Sequence, residues 1–185
     1  MQDRPTSHCF DVDAYCRMAE IGIFTREDRL ELIDGIVFDM TPVSDVHAAA
    51  TDSLVELVSH AAGRLAQLRV QGPLRLDAGT QVQPDLLLLR RRADRYRHTA
   101  ATAADVLLLV EVADSSLAYD QGAKLALYAR HGVPEVWIVD LASQAVEVCR
   151  SPGPQGYAER QRLDAGTIHP TLVPELAVDL GTLFQ

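Results

Sequence analysis

The stretch from 106 to 141, VLLLVEVADSSLAYDQGAKLALYARHGVPEVWIVDL, predicts a strand, a helix and a second strand. Val106 to Ala113 is a β-prone apolar run that a single charged residue, Glu111, interrupts. Residues 117–131 have the length of a crossover helix, and Gly132 is a typical residue after a helix end. Residues 133–141 return to an apolar run. We therefore expect a β-α-β unit with parallel strands and a right-handed connection.

The segments before this unit predict a short helix, a hairpin and a long helix. Asp11 to Glu20 predicts the first helix. In ELIDGIVFDM, residues 31–40, two β-prone runs meet at Asp34-Gly35, a pair favoured in tight turns. Ser44 is suited to cap a helix that continues with helical apolar spacing to about Leu65.

Further strand candidates flank the β-α-β unit. Residues 67–76 form one candidate, in which Gly72-Pro73 indicates a bulge or an edge position, and residues 81–89 form another. Residues 144–150 should pair with the preceding strand, followed by a loop at 151–156 and one or two short strands. With an antiparallel meander in its early strands, the chain is predicted to be an α/β protein with a mixed sheet flanked by helices.

Length and composition suggest one domain over residues 1–185. With 48% apolar residues, a chain of 185 residues should bury about 70% of its unfolded surface. No apolar run approaches the roughly 20 residues that span a bilayer, and MQDRPTSHCF lacks the pattern of a signal peptide, so we expect no membrane partner and a cytoplasmic location. Three cysteines without a CxxC pair argue against disulfides and structural zinc, and we expect all three to be reduced packing residues.

The acidic balance disfavours a surface that coats nucleic acid broadly. The 17 basic and 26 acidic residues give a net charge of −9. A local basic cluster nevertheless lies within residues 90–97, and its arginines are Arg90, Arg91, Arg92, Arg95 and Arg97. This segment is either a solvated loop or a loop that contacts phosphate.

Two carboxylates occupy unusual positions for charged groups. Asp85 follows Pro84 at the start of a leucine run, and Glu111 lies inside an apolar strand. A buried carboxylate must neutralise, pair or bind a cation. If the two strands are neighbours, a divalent ion such as Mg²⁺ or Mn²⁺ would suit both oxygens, and the carbonyl of Val112 would be a third ligand. Alternatively, Asp85 caps a turn and Glu111 pairs with an arginine.

Lys124 is the only lysine among the 17 basic residues. Arginine cannot replace a compact ammonium whose pKa is tunable, so this residue is a catalytic candidate, which would orient water or stabilise developing negative charge. The alternative is a surface pair with Asp120, four residues earlier.

Several motifs together resemble the Uma-two-like restriction endonuclease family of the PD-(D/E)XK nuclease superfamily. The resemblance runs from about residue 11 to the C-terminus, and its motifs are ELIDG (31–35), TPVSDVHAAA (41–50), QPDLLLL (83–89), VEVADSS (110–116) and KLALYARHGVPEVWIVDL (124–141). It implies a restriction-endonuclease-like αβββαβ core, preceded here by an N-terminal helix and hairpin. It also implies that Asp85 and Glu111 bind metal.

The resemblance brings one departure and two more candidates. The superfamily usually places its lysine two residues after the acidic residue, where this chain has Ala113, and Lys124 matches the relocated lysine. Glu31 matches a family position and would complete the acidic cluster or bind a second ion; alternatively it is a hairpin charge facing solvent. His47 also matches and would touch the metal or the scissile phosphate; alternatively it is a helix-terminal or core residue.

Three functions compete at this point. The first is a Mg²⁺- or Mn²⁺-dependent DNA endonuclease, in which Asp85, Glu111 and Lys124 are catalytic and the arginines of residues 90–97 grip the DNA. Such an enzyme is expected to be a homodimer, because a duplex needs two cuts and the chain has one candidate site. The others are a non-catalytic binding or structural module with the same fold, and a metal-dependent hydrolase of a smaller phosphate ester.

Overall fold

The computed structural model describes residues 7–25 and 27–185. The helices are α1 (Val12–Glu20), α2 (Asp45–Leu65), α3 (Leu117–Tyr119), α4 (Leu125–Arg130) and α5 (Leu180–Leu183), and a π-helical turn, Asp120–Lys124, joins α3 to α4. The strands are β1 (Leu30–Ile33), β2 (Ile36–Asp39), β3 (Gln67–Val70), β4 (Leu74–Asp77), β5 (Thr80–Val82), β6 (Leu86–Leu89), β7 (Val106–Ala113), β8 (Glu135–Asp140), β9 (Ala145–Gly153), β10 (Gly156–Leu163), β11 (Thr167–Ile168) and β12 (Val178–Asp179). Across these described ranges, no helix combines the length and apolar character that a bilayer crossing requires.

The β-α-β unit lies at the centre of a six-stranded sheet with the order β10-β9-β8-β7-β6-β3. Strands β7 and β8 are parallel, and their connection contains α3, the π-helical turn and α4. The remaining neighbours in this sheet pair antiparallel. Both central strands are buried throughout, as expected for strands covered on two faces. The predicted α/β fold with a mixed sheet is confirmed.

A second sheet, with the order β2-β1-β5-β4, corrects two of the predicted strands. The candidate at 67–76 is two strands, β3 and β4, which belong to different sheets, and the candidate at 81–89 is likewise divided into β5 and β6. The first break follows Gln71, whose φ of 44° turns the chain. The second break lies at Pro84-Asp85, where proline offers no N–H to a ladder. Asp85 therefore lies at the junction of the two sheets.

The loop predicted at residues 151–156 is instead a hairpin. Strand β9 continues to Gly153 and β10 begins at Gly156, and these two glycines are paired across the turn. The turn has two residues, Pro154 and Gln155, and the φ of 115° at Gly156 is accessible mainly to glycine. Composition alone indicated only a loop, because Gly and Pro are equally common in turns and in irregular loops.

The six-stranded sheet has two apolar faces, and strand periodicity assigns Glu111 to one of them. On β7, Leu108 and Val110 pack in the cluster that contains the inner side of α2. Leu109 and Ala113 pack in the cluster that contains α4. Side chains two residues apart share a face, so Glu111 points toward α4.

The three cysteines are free thiols, in agreement with the prediction that none forms a disulfide. The prediction that all three are packing residues is wrong for Cys9, which is exposed. Cys149 is buried in the α4-side cluster, and Cys16 is half-buried.

Candidate functional site

Asp85 and Glu111 lie side by side at the N-terminal end of β6. The antiparallel register pairs Leu86 with Val110, so the next residues, Asp85 and Glu111, face each other just beyond the ladder. The backbone N–H of Asp85 donates to Oε2 of Glu111 at 3.3 Å, and the N–H of Val112 donates to Oδ2 of Asp85 at 2.9 Å. Both acids are buried, with 6% and 3% of their surfaces exposed. The two strands therefore bring the predicted pair of acids together.

Lys124 reaches this pair from the connection between β7 and β8, which packs on the face of the sheet that carries Glu111. Its Nζ lies 3.1 Å from Oε1 of Glu111 and 3.2 Å from Oε1 of Glu31. The residue is the last of the π-helical turn and is 4% exposed. The alternative of a surface pair with Asp120 is therefore wrong, because the amine is buried between two other carboxylates.

Glu31 comes from β1 of the second sheet. Its Oε1 accepts a hydrogen bond from the backbone N–H of Gln83 at 2.8 Å, and the residue is 1% exposed. The alternative of a hairpin charge facing solvent is therefore wrong. In the part of the chain that the structure describes, Oε2 of Glu31 has no hydrogen-bond partner.

His47 approaches from the other face, one turn into α2. Its Nε2 lies 3.1 Å from Oδ2 of Asp85. The hydrogen bond with Asp85 raises the pKa of His47 more than burial lowers it. Burial raises the pKa of Asp85, but the hydrogen bonds from His47 and Val112 outweigh it, so the pKa stays below its usual value. Nδ1 of His47 has no partner among the described residues.

Glu111 is the acid on which burial acts most strongly. Burial raises its pKa to about 8, against the opposing charge of Lys124. Burial lowers the pKa of Lys124, but the charges of Glu111 and Glu31 reverse this, so its pKa lies above the ordinary value. The amine is therefore protonated at neutral pH, whereas Glu111 is poised to exchange a proton.

Two residues of the site were not predicted from the sequence. Tyr128, on α4, donates its hydroxyl to Oε1 of Glu111, the oxygen that Lys124 also contacts. Asp120 lines the same cleft and accepts a hydrogen bond from Ser116 Oγ at 2.5 Å, and burial raises its pKa. The available signal was spacing, because Asp120, Lys124 and Tyr128 follow one another at intervals of four within the segment predicted as one helix, residues 117–131.

The arginine cluster does not lie beside these acids. The chain enters β6 after Asp85 and leaves it toward Arg90, so the cluster is at the far end of the strand, about 17 Å away at 3.3 Å per residue. Arg90 and Arg91 donate to the backbone carbonyls of Ala104 and Gly63, and Arg92 lies over the ring of Tyr96. A role of Arg90, Arg91, Arg92 and Arg95 in substrate binding stays a prediction.

The donor chemistry of the cleft suits a hard divalent cation, although protein cations lie among the acids here. Within residues 7–25 and 27–185, no group of three or more His, Cys, Asp or Glu side chains is arranged around one metal position. Carboxylate oxygens are nevertheless what Mg²⁺ and Mn²⁺ prefer, and Glu31 leaves one buried oxygen unbonded. The cavity of about 100 Å³ has room for several waters, at roughly 10–15 Å³ each. In donor chemistry and in space, the residues of the cleft therefore suit Mg²⁺ or Mn²⁺.

Comparison with known proteins places the chain among nuclease-like proteins. A family model described as "Uma2: Putative restriction endonuclease" matches residues 12–181. The crystal structure titled as a "putative nuclease belonging to DUF820", from Anabaena variabilis, superposes with a TM-score of 0.73 at 17% identity. That match covers 95% of this chain and 97% of the other, and at such low identity it concerns the fold. A comparison with curated proteins gave no match.

Proposed function

Because the chain belongs to the Uma2 family of restriction endonuclease-like proteins, we propose that it is a divalent-metal-dependent endonuclease that hydrolyses the phosphodiester bonds of DNA. The observation that carries the proposal is the buried pair of Asp85 and Glu111, with Lys124 against it, at the floor of a cleft open to solvent. Burying acids at the base of a cleft is costly for a fold alone. Binding of a catalytic cation by these acids would offset that cost.

Asp85 and Glu111 are the proposed ligands of a Mg²⁺ or Mn²⁺ ion, with the carbonyl of Val112 as a third. In a strand, the N–H and C=O of one residue point to the same side, and the N–H of Val112 points at Asp85. The carbonyl therefore points past the end of β6, where the acids lie. Glu31 would bind at the edge of the same position. When bound, such an ion polarises a phosphate oxygen and acidifies water.

The protein's own cations have complementary roles in this proposal. Lys124 is protonated and held by Glu111 and Glu31, so its ammonium presents positive charge where the phosphate gains negative charge. His47 holds Oδ2 of Asp85 and thereby fixes the orientation of that carboxylate. Tyr128 does the same for Oε1 of Glu111.

Plasmid cleavage tests the proposal. Supercoiled DNA incubated with the wild-type protein and Mn²⁺ or Mg²⁺ should be nicked or linearised. Asp85→Asn and Glu111→Gln should each reduce the rate at least about 100-fold, which is the upper end of the effect of residues that merely support a ligand. Glu135→Gln is the matched control, because Glu135 is also buried and paired, with Arg150, but lies outside the cleft. Absence of cleavage by the wild type with either ion would contradict the proposal.

One observation favours a second candidate, a non-catalytic binding module. Lys124 lies where it already pairs with both Glu111 and Glu31, so the fold satisfies these acids without a metal. This candidate predicts no heat of Mn²⁺ binding in titration calorimetry. It also predicts that Glu111→Gln changes only stability. Mn²⁺ binding by the wild type that Asp85→Asn abolishes would exclude this candidate.

A further inference from the structure

Among the residues that the structure describes, three basic side chains line the cleft, and two of them are already paired with acids. The basic residues that line it are Arg29, His47 and Lys124. Lys124 contacts Glu111 and Glu31, and His47 contacts Asp85. Arg29 is exposed, and it forms no ion pair with any carboxylate in the described ranges. Its positive charge is therefore free to meet an incoming anion.

Arg29, which directly precedes β1, is held by the backbone of the residues that follow the paired strand β2. Its Nη1 donates to the carbonyl of Thr41 at 2.7 Å, and its own carbonyl accepts from the N–H of Met40, also at 2.7 Å. Its acidic neighbour Asp28 accepts from the N–H of Thr25 instead. A guanidinium has five N–H donors, so four remain after the contact with Thr41. The side chain is thus anchored at one nitrogen and open at the others.

Arg29 also lines the same cavity as the buried acids Asp85 and Glu111. A phosphate bound at this residue would therefore lie in the cleft whose floor those acids form.

An anionic substrate needs such a group. The acids that line the cleft are Glu31, Asp85, Glu111, Asp114 and Asp120. They outnumber the paired cations, so a phosphate is repelled unless further positive charge lies at the entrance. A guanidinium matches phosphate with two parallel hydrogen bonds, which an ammonium cannot provide.

We infer that Arg29 is a phosphate-binding residue that holds a backbone phosphate of DNA at the mouth of the cleft, and so positions the neighbouring phosphodiester over Asp85 and Glu111. This inference rests on the proposed nuclease function. It assigns the substrate contact nearest the acids to one arginine, the residue directly before β1. The arginines of residues 90–97, at the other end of β6, can reach only more distant phosphates of the same duplex.

The test measures DNA binding as a function of salt. A short duplex is titrated with the wild type and with Arg29→Gln, Arg29→Lys and Arg64→Gln, in Ca²⁺ so that the duplex stays intact. Arg64 is the matched control, because it is exposed in the last turn of α2, about 30 Å from the first turn that lines the cleft. Thermal unfolding of each variant reports whether loss of the contact with Thr41 alters the fold.

Affinity for DNA falls as salt rises, and loss of one phosphate contact should make the slope of log affinity against log salt less steep by about 0.9. It should also reduce affinity about tenfold at moderate salt. Arg29→Gln should show both changes, with KM for plasmid raised more than kcat is lowered. Arg29→Lys should keep most of the salt slope, because it keeps the charge. Arg64→Gln should behave as the wild type.

Two results would overturn the inference. One is an unchanged salt slope in Arg29→Gln, which would show that Arg29 has only a structural role through its contact with Thr41. The other is an equal loss in Arg64→Gln, which would reflect net charge or binding at the far end of the sheet. Both presuppose that the wild type binds and cleaves DNA, whereas a wild type that does neither contradicts the proposed function itself.

Discussion

Glu111 is held by three donors, and two of them share one of its oxygens. Lys124 and Tyr128 both contact Oε1, whereas Oε2 receives only the long contact of 3.3 Å from the N–H of Asp85. A carboxylate clamped at one oxygen presents the other in a fixed direction. At the residue scale, this asymmetry makes Oε2 the proposed metal-binding oxygen and gives Tyr128 a positioning role.

Tyr128→Phe tests this role because it removes the hydroxyl and leaves the ring packed. We expect Mn²⁺ affinity, measured by titration calorimetry, to fall about 10- to 100-fold, as for other groups that orient metal ligands. Tyr157→Phe is the matched control, since its buried hydroxyl donates to the carbonyl of Val133, outside the cleft. The control should lose a similar amount of stability and keep its Mn²⁺ affinity. Equal affinities in both variants would show that Tyr128 has only a structural role.

At the element scale, the site depends on where short elements begin and end. Strand β1 carries Glu31, and its position is set by the β1–β2 turn, where Asp34 and Gly35 have φ values of 51° and 79°. The π-helical turn brings Lys124 to the sheet in register with Tyr128, one α-helical turn later. Such turns are rare and frequently occur at functional sites. These local features, more than the long strands, determine where the charges meet.

Gly35→Ala should destabilise the protein by about 1–3 kcal/mol, the cost of a non-glycine residue in a left-handed conformation that its surroundings enforce. A Cβ at this position would lie only 2.5 Å from Cβ of Cys9, so the turn cannot relax freely. Gly63→Ala, in α2, provides the contrast, because a Cβ there meets nothing within 4 Å. It should stabilise by about 0.5–1 kcal/mol. Urea unfolding measures both, and equal effects would contradict the role of the turn.

At the scale of the whole molecule, the buried acids link stability to pH. Burial raises the pKa of Glu111 to about 8, so the metal-free native state keeps a proton that the unfolded chain releases near its ordinary value of 4.5. The hydrogen bond with Asp85 raises the pKa of His47, which acts in the same direction above about 6.5. Both groups bind more protons in the native state, so stability is lost as pH rises.

In EDTA, the free energy of unfolding should therefore fall between about pH 5 and about pH 8. Glu111→Gln should flatten most of this fall, and Mn²⁺ should do so in the wild type, because a cation favours the ionised carboxylate. Asp85, with its lowered pKa, adds the opposite dependence below its usual pKa of 3.8. Urea titrations across this range measure the effect. A wild type that gains stability toward pH 8 in EDTA would contradict the assignment.

The sequence by itself determined the central unit and the identity of the main acids. The run at Val106–Ala113, the crossover helix and the strand that follows gave the correct order and the parallel pairing, because hydrophobic periodicity is a local property. Ser44 as a cap and Asp34-Gly35 as a turn were also predictable, since each depends on neighbouring residues only. Asp85, Glu111 and Lys124 were distinguished by being charged or unique where the pattern predicted otherwise.

Only the tertiary structure decided which groups meet at the cleft. Dividing the chain at Pro84-Asp85 between two sheets brings Glu31 of β1 against Lys124 of the other sheet's helix, and no local pattern shows that contact. The arginines of residues 90–97 lie at the other end of β6 from these acids, and Arg29 lines the cleft itself. The hydroxyl of Tyr128 meets Glu111 only because α4 packs on the face of β7 that carries this acid. Contacts between residues distant in sequence depend on how elements pack, and that information lies in the assembled molecule.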